Sequence, residues 1–262
     1  ETGHPPAPFG VNLIVHKSNT ILEDELALCR KYDVPLIITS LGAVSDLVDA
    51  VHDYGGIVFH DIISLRHAQK AINVNVDGLI AVAAGAGGHC GQASPFGLMG
   101  EIRQIFDGTI LLSGAMSTGS DIAAAQTMGA DLAYMGTRFI NTSECFSPDG
   151  YKQMILDVHM DDIILTDRVT GVHANFMRQS LELAGLDPNK LKAHEKQDIN
   201  KELDEALDSQ KDEAKPWRDL WSAGHGVGQV NQILPVAELV ESLKQEYLQA
   251  SKVQYEQAQS YL

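Results

Sequence analysis

The chain is poor in cysteine and in positive charge, and it has no long apolar run. Its three cysteines, Cys29, Cys90 and Cys145, form neither a disulfide framework nor a metal-ligand spacing. They suit a reducing setting, so a cytoplasmic location is expected. The 19 Lys and Arg are outnumbered by 35 Asp and Glu, a net charge of -16. That balance excludes binding of a nucleic-acid backbone as the main task. A small anion is not excluded, because local backbone N–H groups can hold one. No apolar run reaches the roughly 18 residues of a membrane span. The opening "ETGHPPAPFG" lacks the charged and apolar regions of a signal peptide. There is no GxSxG elbow, no P-loop and no convincing metal site.

What is present is a set of apolar runs rich in Val, Ile and Leu. They read "FGVNLIV", "VPLIITSLG", "GGIVFHDII", "VDGLIAVAA", "GTILLSGAM" and "DLAYMGTRFI". Each is nearly continuous, as expected of a parallel strand buried on both faces. Segments of helical spacing lie between them: "NTILEDELALCRKYD", with Asn19 as its N-cap, then "AVSDLVDAVHDYG", "SLRHAQKAINV", "SPFGLMGEIRQIFDG" and "TGSDIAAAQTMGAD". A β-α unit repeated every roughly 20–30 residues implies an open doubly wound sheet or a closed (β/α)8 barrel. Six strands are visible.

After residue 145 the repeat stops. "SPDGYKQMILDVHMDD" is helical and amphipathic, and "DIILTDRVTGVHANFMR" is a short strand or a loop. Residues 192–216 are highly charged and read as a solvated helix or insertion. A helix closes the chain. The expected division is a barrel portion over 1–145, a helical, substrate-side insertion over 146–222, and a return to the barrel over 223–262.

Three strand ends carry unusual residues: "GAGGHCG", "SGAMSTG" and "MGTRF". In a barrel all three lie on the C-terminal face, where such enzymes place their active sites. Glycines there allow close backbone approach, with N–H groups turned to an anion. His89 lies within the first loop and is the candidate for proton transfer near neutral pH. Cys90 reads as a small buried residue rather than a nucleophile.

These pieces together, with "PFGVNLIV" and "WSAGHGVGQV", resemble the nitronate monooxygenase (2-nitropropane dioxygenase-like) flavoproteins. The resemblance covers most of the chain in order. It implies an FMN-dependent (β/α)8 barrel with a smaller helical insertion. The flavin-type enoyl-acyl-carrier-protein reductases share that barrel. By position, Asn12 lies near the flavin and Gly87 and Gly88 approach it. Ser113, Gly114 and Ala115, with Gly136 and Thr137, cradle the phosphate, while Tyr134 and Met135 line the approach. His89 matches the family's active-site histidine, which removes the proton α to a nitro group. His173, Asn175 and Arg178 are candidates to face a substrate, and His225 to support a turn near the flavin.

The chain departs from the family pattern in two places. Family members begin with a strand close to "PIIQAPM" and a second that ends in a glycine-rich turn. This chain starts after both, so a barrel lacking its first two strands is expected, with a homodimer or a separate N-terminal segment as partner. Many members also read "EAGGH", where this chain has Gly85 in place of Glu. The function implied is oxidation of an alkyl nitronate with molecular oxygen to a carbonyl compound and nitrite. The alternatives are an NAD(P)H-dependent quinone or enoyl-thioester reductase, and a non-catalytic protein that binds FMN or another phosphate ligand.

Overall fold

The central strands of the sheet are mostly buried because apolar side chains pack on both of their faces, whereas the first and last strands are partly exposed. The computed structural model describes residues 7–16, 19–191 and 219–262. The charged stretch 192–216 lies outside the described residues. Strands β1 (Gly10–Ile14), β2 (Leu36–Ser40), β3 (Ile57–Ile62) and β4 (Gly78–Val82) are followed by the two-residue β5 (Gly88–His89). Strands β6 (Thr109–Ser113) and β7 (Leu132–Tyr134) come next. All but β5 form one parallel sheet in the order β1-β2-β3-β4-β6-β7. Helices α1 (Leu22–Lys31), α2 (Ser45–His52), α3 (Leu65–Asn73), α4 (Pro95–Ile102) and α5 (Gly119–Thr127) make the crossovers. This is the β/α wall of a TIM-type barrel.

The strand period of two divides the apolar side chains. Ile37, Val58, Leu79 and Ile110 face the helices, where they pack with Val51, Ala68, Met99 and Ala125. Ile38, Phe59, Ile80 and Leu111 form a separate interior layer on the other face. The Phe59 ring lies over Gly78, where a Cβ would sit 2.5 Å from Phe59 Cε1. Burial of four such side chains stabilises the layer by roughly 1.5–3 kcal/mol each, before entropy is subtracted.

The start of α1 differs from expectation. Its N-cap is Ile21 rather than Asn19. Asn19 acts one step earlier: its Oδ1 accepts the Ile21 N–H at 3.1 Å, and its Nδ2 donates to the Ile14 carbonyl at 2.9 Å. It therefore closes the turn between β1 and α1. At α5 the Thr118 hydroxyl accepts the Asp121 N–H, and Asp121 accepts the Thr118 N–H in return, a capping box.

Beyond the sheet lie α6 (Thr137–Ile140), α7 (Asp149–Asp157), β8 (Ile163–Thr166), β9 (Ala174–Met177) and α8 (Arg178–Leu183). β9 pairs antiparallel with both β8 and β5. The stretch expected as a short strand or loop is thus a hairpin, and it reaches back to the glycine loop after β4. Two apolar clusters join residues of α7, β8, β9 and α8 to Leu220, Ala223, Val227 and Val230. The final helix, α9 (Val236–Gln259), packs against α5. Gly119 makes that contact possible, since a Cβ there would lie 2.0 Å from the Leu243 carbonyl oxygen.

Candidate functional site

The loops after β4, β6 and β7 meet at the C-terminal ends of the strands. Together with residues 222–226 they enclose a cavity of about 250 Å³. Of the residues singled out in the sequence, Gly87, Gly88, Ser113, Gly114, Ala115, Tyr134, Met135, Gly136 and Thr137 all line it. Gly85, Ala86, Met116, Ser117, Ile140, Tyr151, Ser222, Gly224 and Gly226 complete the wall.

Backbone packing explains the glycines. A Cβ on Gly87 would sit 2.8 Å from the Gly224 nitrogen, and one on Gly226 would sit 2.6 Å from the Ala115 carbonyl oxygen. Gly114 adopts φ +131, a conformation that side chains disfavour. Hydrogen bonds lock the loops together. Gly224 N–H donates to Thr137 Oγ1 at 2.9 Å, and Ser117 Oγ donates to the Gly226 carbonyl at 2.8 Å.

Among the described residues, none that lines the cavity is charged. An anion there can be met by backbone N–H groups and by the hydroxyls of Ser113, Thr137 and Ser222, the manner in which phosphates are held without Lys or Arg; the Ser117 hydroxyl is already committed to the Gly226 carbonyl. Ser222 Oγ is buried and has no hydrogen-bond partner. An orphaned hydroxyl in a cavity wall is a polar group awaiting a ligand atom. These features fit the phosphate end of FMN. On the same wall the Tyr151 ring stacks on Trp221 at 5.1 Å, and its hydroxyl donates to the Ser222 carbonyl at 2.5 Å. Burial raises the Tyr151 hydroxyl to about 12, so it stays a donor at neutral pH.

His89 follows the cavity-lining Gly88 and is partly buried, but it does not itself line the cavity. It sits in β5, where it pairs with Ala174 of β9. Its Nε2 lies 3.3 Å from Thr170 Oγ1. Burial lowers its basicity, which keeps the imidazole neutral near pH 7. Cys90 is buried, and desolvation raises its thiol to about 11. A thiol so rarely ionised is a poor nucleophile.

Other expected residues lie elsewhere. Asn12 is on β1 and does not line the cavity; its Oδ1 accepts from Ser40 Oγ at 2.9 Å. Ser40 Oγ also lies 2.6 Å from Asp61 Oδ2, while the other Asp61 oxygen is buried without a partner. Burial raises the Asp61 carboxyl. The Tyr134 hydroxyl is raised too, first by burial and then by the charge of Asp61. This polar group on β1, β2 and β3 carries no signal in the sequence beyond Asn12.

The three substrate candidates do not line the cavity either. Asn175 is buried, and its Nδ2 donates to the Ala86 carbonyl at 2.7 Å. The His173 carbonyl accepts the Cys90 N–H at 3.1 Å. Both therefore brace the glycine loop. Arg178 opens α8 beside Asp162, whose carboxyl is held low by the His159 N–H first and by Arg178 among lesser causes. Ser222 and Tyr151 were not expected in the site. His225 was expected at a turn, and its N–H does donate to the Gly85 carbonyl at 2.9 Å.

Among the described residues no three His, Cys, Asp or Glu are placed to hold a metal ion, and no helix is long and apolar enough to cross a membrane.

Known proteins are similar to this chain in sequence and in fold. The (3aS,4S,5R,7aS)-5-hydroxy-7a-methyl-1-oxo-octahydro-1H-indene-4-carboxyl-CoA dehydrogenase of Mycobacterium tuberculosis is 28% identical over 177 residues, 66% of this chain and 49% of that protein. A nitronate monooxygenase of Paraburkholderia phytofirmans is 27% identical over 202 residues, 71% of this chain and 53% of that protein. The chain spans about half the length of these curated relatives. The crystal structure of a nitroalkane oxidase from Streptomyces ansochromogenes shares the fold, with a TM-score of 0.76 at 21% identity over 94% of this chain and 82% of that one. The profile that defines nitronate monooxygenases matches residues 11–246, almost the whole barrel wall and the segments around its cavity, and the chain therefore belongs to the nitronate monooxygenase family.

Proposed function

We propose that the chain is an FMN-dependent oxidoreductase that converts alkyl nitronates, with molecular oxygen, to carbonyl compounds and nitrite. The observation that carries this reading is the uncharged, glycine-walled cavity beside His89, in a chain of this family. Bound FMN supplies the acceptance of an electron from the nitronate and its passage to oxygen. The protein's own groups do the rest. Gly114, Gly136 and Thr137, with the orphaned Ser222 hydroxyl, hold the phosphate, while Ala115, whose N–H is given to the Gly85 carbonyl, lines the wall beside it. Gly87 and Gly88 leave room for close approach, and Tyr134 and Met135 line the way in. His89, neutral because it is buried, takes the α proton when the substrate arrives as a neutral nitroalkane.

The test is to add an alkyl nitronate to the purified protein without oxygen and to follow the visible flavin band. Bleaching is expected. A flavin band that resists the nitronate would overturn the reading. A second reading, NAD(P)H-dependent reduction of a quinone or an enoyl thioester, draws on the relative named as a carboxyl-CoA dehydrogenase. Rapid bleaching by NAD(P)H, with none by the nitronate, would favour it.

A further inference from the structure

With no charged side chain in its wall among the described residues, the cavity depends on its hydroxyls for what it can bind. Six side chains bring one: Ser113, Ser117, Tyr134, Thr137, Tyr151 and Ser222. Each hydroxyl has a single proton to give. Ser117 gives its own to the Gly226 carbonyl, and Tyr151 to the Ser222 carbonyl. Ser113 leads into the loop after β6. Gly224 N–H donates to Thr137 Oγ1 at 2.9 Å, which brings the Ser222 segment to the same end of the cavity as Thr137. Ser113, Thr137 and Ser222 therefore serve the phosphate, and Tyr134 is left.

The position of Tyr134 sets it apart. It ends β7 and pairs in register with Ser113, two residues beyond Leu111. Leu111 belongs to the interior layer, and a period of two puts Tyr134 on that same side. The phenol carries its oxygen a ring's length from the backbone, away from the loop that starts at Met135. Its hydroxyl makes no hydrogen bond to any described residue. The side chain is half-exposed, so a ligand can reach it. Burial first, and then the charge of Asp61, raise the phenol above its ordinary range, and at neutral pH it is a donor.

We propose that Tyr134 is the specificity residue that donates a hydrogen bond to the anionic oxygens of the substrate. This rests on the reading of the cavity as an FMN site with its phosphate at the loops after β6 and β7. A nitronate that enters gives up water and meets no cationic side chain in the wall, so a donor is needed to offset the loss. Asp61 brings a charge of the same sign near the phenol and opposes the anion, which makes the phenol more necessary. No covalent bond changes in the contact, and the phenolic proton stays on Tyr134.

The test uses the flavin-loaded protein and two probes. Propionate has a carboxylate where ethyl nitronate has its nitro group, and its shift of the visible flavin band measures binding without turnover. Tyr134→Phe should weaken propionate about tenfold or more and raise the KM for ethyl nitronate by a similar factor, with kcat changed far less. FMN affinity and melting temperature should stay those of the parent. Equal propionate affinity in parent and variant would overturn the proposal. So would FMN lost along with the oxygen, which would assign Tyr134 to the cofactor, or a kcat that falls while KM stands. Absence of propionate binding in the parent would overturn it too. A crystal structure of the loaded parent with propionate decides the matter even if the variant fails to fold. The phenol oxygen is expected within hydrogen-bond distance of the carboxylate, and a carboxylate seated elsewhere would sink the assignment. If Tyr134 holds propionate but the parent oxidises no nitronate, the functional reading fails and the anion contact stands.

Discussion

The carbonyl oxygen of Gly85 accepts the backbone N–H of His225 at 2.9 Å. It also accepts the N–H of Ala115, at 3.1 Å. One oxygen thus joins the loop after β4 to the loop after β6 and to the segment that leads toward α9. The backbone shape that places this oxygen, and the space around it, are what call for glycine at position 85. Gly85 adopts φ +86, and a Cβ on it would lie 3.1 Å from the Ala115 Cβ and 3.2 Å from the His225 ring. In this chain His225 occupies the space a longer side chain would need.

Gly85→Glu should therefore not recover a missing carboxylate. The left-handed backbone and the crowding against His225 should together cost about 2–4 kcal/mol. Thermal melting should show the loss, and flavin should be retained less well. Melting at the parent's temperature would mean that the ring of His225 swings aside freely.

Gly136 offers the opposite experiment. It lines the cavity with an ordinary backbone, φ -111, and a Cβ on it would meet nothing within 4 Å. A side chain there enters open space and strains no contact. Gly136→Val should leave the melting temperature of the flavin-free protein within a few degrees of the parent but weaken FMN binding. Titration of that protein with FMN, followed by flavin fluorescence, checks this. Unchanged affinity would place the phosphate elsewhere.

If His89 is the base, His89→Asn should slow neutral nitroalkanes by roughly 100-fold or more and preformed nitronates far less. The pH profile of the parent on a nitroalkane carries the sign. Burial lowers the imidazole below its ordinary 6.5. The base form therefore persists to lower pH than in a free imidazole, and kcat/KM should rise with pH to a plateau, with the rise centred below 6.5. A rise centred above that value would assign the proton transfer to another group.

Much of the barrel wall was legible because parallel strands write both their faces into the sequence as continuous apolar runs. The glycine loops were legible because close backbone approach demands glycine whatever the partner. The partners themselves were not. Gly114 and Gly119 belong to the same "SGAMSTG", yet Gly114 lines the cavity while Gly119 is pressed against α9, its N–H donating to Glu246 at 2.7 Å. Nothing local separates those two roles. Thr170 and Asn175 gain their significance only when β9 pairs with β5, and Ser222 only when its segment closes the cavity. Arg178 has the right chemistry for an anionic substrate, but the start of α8 places it beside Asp162.

The pair Thr39–His60 gives a prediction about stability. His60 is buried on the helix-facing side of β3, with Nδ1 2.7 Å from Thr39 Oγ1. Burial first, and then the charge of His67, lower its pKa from 6.5 to about 4. As pH falls from 6.5 toward 4, the unfolded chain protonates His60 while the folded chain does not. Stability present above 6.5 is therefore lost across that window, by up to about 3 kcal/mol, and the loss stops below about 4. Asp61 works in the other direction, since burial raises its carboxyl and so favours the folded state at low pH. Comparison with His60→Gln isolates the histidine. Urea unfolding midpoints of the parent should drop more steeply than those of the variant between pH 6.5 and 4. Parallel curves would show that His60 is solvated in the folded protein.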